Sequence, residues 1–87
     1  MKCILASATD KIIEENITGV FVQSVTGELG LLKDHLPLIA RLKADSPVRL
    51  KTTSAPKYYT VGGDAFLQFA GNTAVILAGS FARAGDY

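Results

Sequence analysis

His35 is the chain's single histidine, it directly follows Asp34, and serines are scattered elsewhere. An acid, an imidazole and a hydroxyl are the parts of a hydrolytic triad. The Gly-x-Ser-x-Gly turn that lifts a serine nucleophile out of a sheet is missing, however. A lone histidine among ordinary loop residues is not an assembled site, so no catalytic residue is assigned. Metal chemistry fares no better, because His35 and the single cysteine, Cys3, are far apart in sequence and lack ligand spacing. Gly27-Glu28-Leu29-Gly30 has the Gly-x-x-Gly form of an RNA-clamping loop, but it carries a carboxylate where that loop needs basic surroundings and flanking helices. Gly62-Gly63 is followed by no phosphate-binding lysine. Both glycine pairs are therefore expected to be turns using positive φ. Two compatible roles remain for His35: bracing its own loop by hydrogen bonds, or serving as a contact residue on a projecting loop. Pro37 stiffens the exit of that loop, which favours a preorganised contact surface.

The elements that must position these residues read almost entirely as strands. Residues 3–6, 11–13, 19–25, 36–42, 48–52, 58–61, 65–70 and 73–78 are short runs rich in Ile, Val, Leu and Phe, separated by polar and turn residues. The last two flank Gly71-Asn72, a two-residue hairpin turn. Ala65, Leu67 and Phe69 share one face of the first arm, with Gln68 on the other. The second arm is apolar on both faces, as expected of a central strand covered on both sides or used at a subunit contact. No stretch sustains helical periodicity, and Pro37, Pro47 and Pro56 interrupt the middle of the chain. The fold class is all-β with little or no helix, a compact β-sandwich or small barrel forming one domain over residues 1–87.

Charge and length narrow the function. Net charge is +1, with nine Lys and Arg spread along the chain, which argues against the basic face that nucleic-acid binding needs and against a polybasic membrane anchor. No apolar run approaches the ~20 residues of a membrane-spanning helix. Asp10 and Lys11 arrive too early for a signal-peptide core. One cysteine cannot form an internal disulfide.

The stretch from Gly27-Glu28-Leu29-Gly30 to His35-Leu36-Pro37-Leu38 resembles the "GELG…GHxPL" signature of the epsilon subunit of F-type ATP synthases. Leu42-Lys43 with Val48-Arg49 is similar to that family's "LKPGxVRI" region, and Phe66-Leu67-Gln68-Phe69 to its "xLEV" strand. Val75-Ile76-Leu77-Ala78, with Arg83 and Asp86, resembles its "VxVLADxAxRxxD" ending. Lys33-Asp34 replace the usual Pro-Gly before the histidine, Leu36 the Ala after it, and Gly79 the aspartate of "LAD".

The resemblance implies a two-sheet β-sandwich of about ten short strands. It further implies a non-catalytic rotor subunit without a cofactor, gripping the gamma subunit and resting on the membrane c ring. Membrane association is then indirect, at the cytoplasmic face of the bacterial plasma membrane or the equivalent organelle face. The c-ring contact loop is expected to comprise Gly27, Glu28, Leu29, Gly30, His35 and Pro37. No sequence for the family's inhibitory C-terminal helical hairpin follows Tyr87, so restraint of ATP hydrolysis is not expected of this chain. The alternative from another class is a free-standing OB-like barrel using Phe66, Phe69, Tyr58 and Tyr59 to stack bases.

Overall fold

In a computed structural model, which describes residues 1–84, the alternating runs form eight strands and no helix. They are β1 (Lys2–Ala6), β2 (Lys11–Glu14), β3 (Ile17–Ser24), β4 (Gly27–Leu32), β5 (Leu38–Leu42), β6 (Pro47–Thr52), β7 (Lys57–Ala70) and β8 (Thr73–Ala84). Pro47 is tolerated at the first position of its strand.

The strands are arranged as a sandwich whose layers share two long strands. The first half of β7 pairs with β6, through Pro47↔Thr60 to Leu50↔Lys57, and its second half pairs with β5, through Leu38↔Phe69 to Leu42↔Ala65. β8 follows β7 across the same bend. One layer is therefore β4-β3-β6 with the first half of β7 and the second half of β8. The other is β2-β1 with the first half of β8, the second half of β7 and β5. Counted by halves this is the ten-segment sandwich expected from the resemblance. Counted as continuous strands it is eight, because residues 58–61 and 65–70 are not separate.

The bend sits at a bulge, where the β7–β8 register shifts between Gly62 and Ala65. Gly63 adopts φ +74 there, and a Cβ on Gly62 would lie 2.1 Å from the Ser80 hydroxyl. A side chain at either position would disrupt the bend, so the glycine pair serves the passage between layers. The Gly71-Asn72 turn takes φ 55° at both residues, the geometry that matches strand twist.

Between the layers the inward residues form one core. Leu5, Val20, Leu50, Leu67, Phe69 and Ile76 are among those fully buried. Ala65, Leu67 and Phe69 share the inward face as expected, and Val75 and Leu77 of the second arm look outward. A single bridge, Ser24↔Leu42, joins β3 to β5 and closes one side of the sandwich.

Candidate functional site

The glycine-bracketed segment is not a loop. Gly27–Leu32 is strand β4, paired to β3 from Gly19↔Leu32 to Ser24↔Gly27 and forming the edge of its layer. The turn lies just before it, at Val25-Thr26, held by Ser24, whose hydroxyl donates to the Gly27 carbonyl at 2.6 Å. Gly27 has φ 135°, as expected of a turn glycine, but Gly30 has no positive φ. Its reason is steric: Gly30 faces Phe21, and a Cβ on it would sit 3.0 Å from that ring. A short-range pattern cannot reveal this, because the ring that needs the space belongs to the neighbouring strand. Glu28 is exposed opposite Gln23, and Leu29 is half-buried opposite Val22.

The projecting loop is residues 33–37, between β4 and β5. It is braced on two sides. The Asp34 backbone N–H donates to Asn72 Oδ1 at 2.7 Å, and Asn72 Nδ2 donates to Asp34 Oδ1 at 3.1 Å, tying the loop to the β7–β8 turn. His35 Nδ1 donates to the Leu36 carbonyl at 2.7 Å, and its ring meets Phe69 edge-on, with centroids 6.1 Å apart. The imidazole nevertheless remains exposed, as do Leu36 and Pro37. His35 thus fills the first of its two expected roles, bracing its own loop, while its imidazole faces solvent. Glu28 and His35 do not share one loop: Glu28 lies on the β4 edge five residues before the loop begins at Lys33, roughly 16 Å away.

Beside the loop, Pro37, Leu38, Ile39, Gln68, Phe69 and Ala70 line a shallow groove of about 400 Å³. It opens onto the outer face of the β2-β1-β8-β7-β5 layer, which is apolar to an extent the sequence only hinted at. Leu36 is 79% exposed, Ile39 78%, Leu77 52%, Ile13 51% and Phe66 48%. Registers Phe66↔Leu77 and Ile4↔Ile13 set these residues across the sheet, with Arg41 beside Phe66 and paired to Asp64 at 3.6 Å. An exposed apolar surface rimmed by polar groups marks an interaction site. The stacking platform of the OB-like alternative is not assembled: Phe69 and Tyr59 are buried, and Phe66 and Tyr58 belong to different outer faces.

Sequence reasoning missed a buried charged group. Glu14 ends β2 pointing inward, where Lys57 Nζ donates to Oε1 at 2.8 Å and the Tyr59 hydroxyl to Oε2 at 2.5 Å. Burial alone would raise the Glu14 carboxyl, but the hydrogen bonds from Lys57 and Tyr59, with the charges of Lys57 and Arg83, outweigh it and hold the group below its ordinary range. Burial, and then Glu14 itself, push the Tyr59 phenol up to about 12. Burial, with Glu14 nearby, does the same to the Cys3 thiol, also to about 12, which leaves that sulfur protonated and inert. This cluster clamps one layer to the other, and every buried polar side-chain atom among the described residues has a partner. No group of three or more metal-ligating side chains occurs among the described residues. Arg83 is exposed near the end of β8, while Asp86 and Tyr87 lie outside the described residues.

Residues 1–84 match the family described as ATP synthase, Delta/Epsilon chain, beta-sandwich domain. The chain is 35% identical over 79 residues to the ATP synthase epsilon chain of Lactiplantibacillus plantarum, covering 87% of this chain and 54% of that one. It is 32% identical over 87 residues to the epsilon chain of Chromohalobacter salexigens, with coverage of 98% and 60%. It thus spans little more than half the length of these curated relatives. Similar solved structures include a chain of the Euglena gracilis mitochondrial ATP synthase, in an assembly of OSCP, F1 and c-ring. That chain superposes with a TM-score of 0.81 at 14% identity, covering 93% of this chain and 51% of that one. A chain of the Tetrahymena thermophila mitochondrial ATP synthase central stalk and c-ring gives 0.78 at 13%, with coverage of 94% and 65%.

Proposed function

The chain belongs to the delta/epsilon family of ATP synthase subunits, and from that membership we propose that it is a non-catalytic rotor component coupling the gamma subunit to the membrane c ring. The observation that carries this reading is the apolar outer face of one layer, with Ile13, Ile39, Phe66 and Leu77 exposed on a rigid sandwich. That face docks gamma. The c-ring contact is the β4 edge together with the loop at its end: Gly27, Glu28, Leu29, Gly30, His35 and Pro37. The bracing of residues 33–37 by Asn72 supports this assignment, because a preorganised loop loses little entropy on contact. Torque needs stiffness, and two layers sharing continuous strands resist shear between their contact surfaces. The subunit then lies at the periphery of the ion-translocating membrane, on the cytoplasmic face in bacteria or its organelle equivalent, held there through the ring.

Capture of gamma by the wild-type chain and by Ile39→Glu and Leu77→Glu variants tests the reading. Both variants should fold with unchanged melting temperatures and lose gamma; full retention of gamma by both would overturn the docking face. For the ring contact, Glu28→Ala/His35→Ala in an assembled, vesicle-reconstituted complex should keep gamma while proton-driven ATP synthesis falls. Normal synthesis would overturn that assignment.

A further inference from the structure

The opposite face of the sandwich carries a second feature, which the rotor reading does not use. Phe21 of β3 lies over a glycine floor: Cβ atoms on Gly19 and Gly30 would approach its ring to 2.9 and 3.0 Å. Arg49 of β6, directly across from Phe21, stacks its guanidinium 4.6 Å above the ring centroid. Lys51 lies two residues along β6 and so on the same face. Together with Thr52, Ser54, Pro56 and Tyr58 these residues enclose a cleft of about 310 Å³ that no carboxylate lines among the described residues. Glu28 lies instead in a neighbouring cleft that shares Phe21, Arg49 and Tyr58. Arg41 and Lys57 each have an acidic partner, but among the described residues neither Arg49 nor Lys51 has one.

We propose that this cleft binds an acidic segment of a partner protein, with a carboxylate held between Arg49 and Lys51 and an adjoining apolar side chain against Pro56 and Tyr58. Three observations select that ligand. The Arg49 guanidinium rests over Phe21 and has no acidic partner among the described residues, so its N–H fork is available to a carboxylate, which it suits bidentately. Two cations on a chain of net charge +1 are far short of the basic stripe that a nucleic-acid backbone requires. Arg49 already covers the outer face of Phe21, so that ring offers no platform for a base. The cleft's lining includes none of the residues assigned to the gamma and ring contacts, although it borders the ring contact at Gly30 and Glu28.

The test is an NMR titration of the full chain with three probes: a capped peptide of alternating glutamate and leucine, the same peptide with glutamine for glutamate, and a thymidine decanucleotide. The acidic peptide should shift the amides of Phe21, Arg49, Lys51, Ser54 and Tyr58, and the other two probes should leave them in place. Arg49→Gln and Lys51→Gln should each weaken the peptide about tenfold, and Arg49→Lys should recover only part of the loss. Lys51→Gln keeps the test decisive even where loss of the Arg49 stack disturbs the sheet. Equal binding of the glutamine peptide, shifts confined to the apolar face, or equal or tighter binding of the oligonucleotide would each overturn the proposal.

Discussion

Two polar knots hold this sandwich, and they differ chiefly in what surrounds them. Asp34 and Asn72 exchange two hydrogen bonds across 38 residues of sequence in full view of solvent. Glu14 receives two hydrogen bonds, from residues 43 and 45 positions away, in a site where its side chain is only 12% exposed. The count of bonds is the same. Water competes for the first pair and is largely excluded from the second, so breaking the second strands the buried Tyr59 hydroxyl, although Lys57 still reaches water. The difference assigns roles. The buried knot is a structural clamp, whereas the exposed one shapes the projecting loop of residues 33–37 at little energetic cost.

Replacing Glu14 by Ala should break the comparison most severely. It leaves the Tyr59 hydroxyl and Lys57 without their acceptor, and stability should fall by about 2–3 kcal/mol, below the value for fully buried pairs because Lys57 still meets water. A loss under about 0.5 kcal/mol in denaturant titration would reduce the clamp to a surface pair. Acid should reproduce part of that loss. The folded carboxyl is held below its ordinary 4.5, so its contribution is complete above that value and disappears as pH falls through the lower, folded one. The base limb has the opposite sign: Cys3 and Tyr59 are raised from 9.0 and 10.0 to about 12, so stability should decline as pH rises above 9 towards 12. Melting temperatures across pH should therefore form a plateau that slopes at both ends in wild type, with the acid slope flattened in Glu14→Gln.

Tyr59→Phe removes one donor but keeps the packing, and should cost about 1–1.5 kcal/mol in the same titration. On the exposed side, Asn72→Ala loses both bonds to Asp34 as well as a residue suited to positive φ, for about 1 kcal/mol. His35→Ala should come last, within about 0.5 kcal/mol. Thermal melts that ranked His35→Ala above Glu14→Ala would invert the comparison and make the histidine a structural brace first.

Much of the architecture was legible in the sequence because strand alternation is a local signal. Ala65, Leu67 and Phe69 share the buried face that their spacing implied, and Gly71-Asn72 forms the turn that its residue types implied. The motif residues were legible as a recurring pattern but not as a shape. Gly27–Leu32 looked like a loop because glycine usually signals a turn, whereas Gly30 is there to make room for a ring on β3. The strand at residues 11–13 was legible too, but not which of its faces is buried: Glu14 points inward and Ile13 outward. An inward carboxylate becomes acceptable only where another strand supplies Lys57 and Tyr59.

By itself, then, the amino-acid order determined an all-β domain, the hairpin, the core positions and the family to which the chain belongs. Those follow from periodicity, turn propensity and motif, all of which act between residues close in sequence. Tertiary structure alone decided that two strands pass continuously from one layer to the other. It also set Phe21 between a glycine floor and Arg49, left one outer face apolar and put Arg49 and Lys51 on the other, and joined Glu14 to residues on a distant strand. Each of these depends on pairings between residues tens of positions apart, and such pairings are selected by the packing of the whole sandwich rather than by any segment within it.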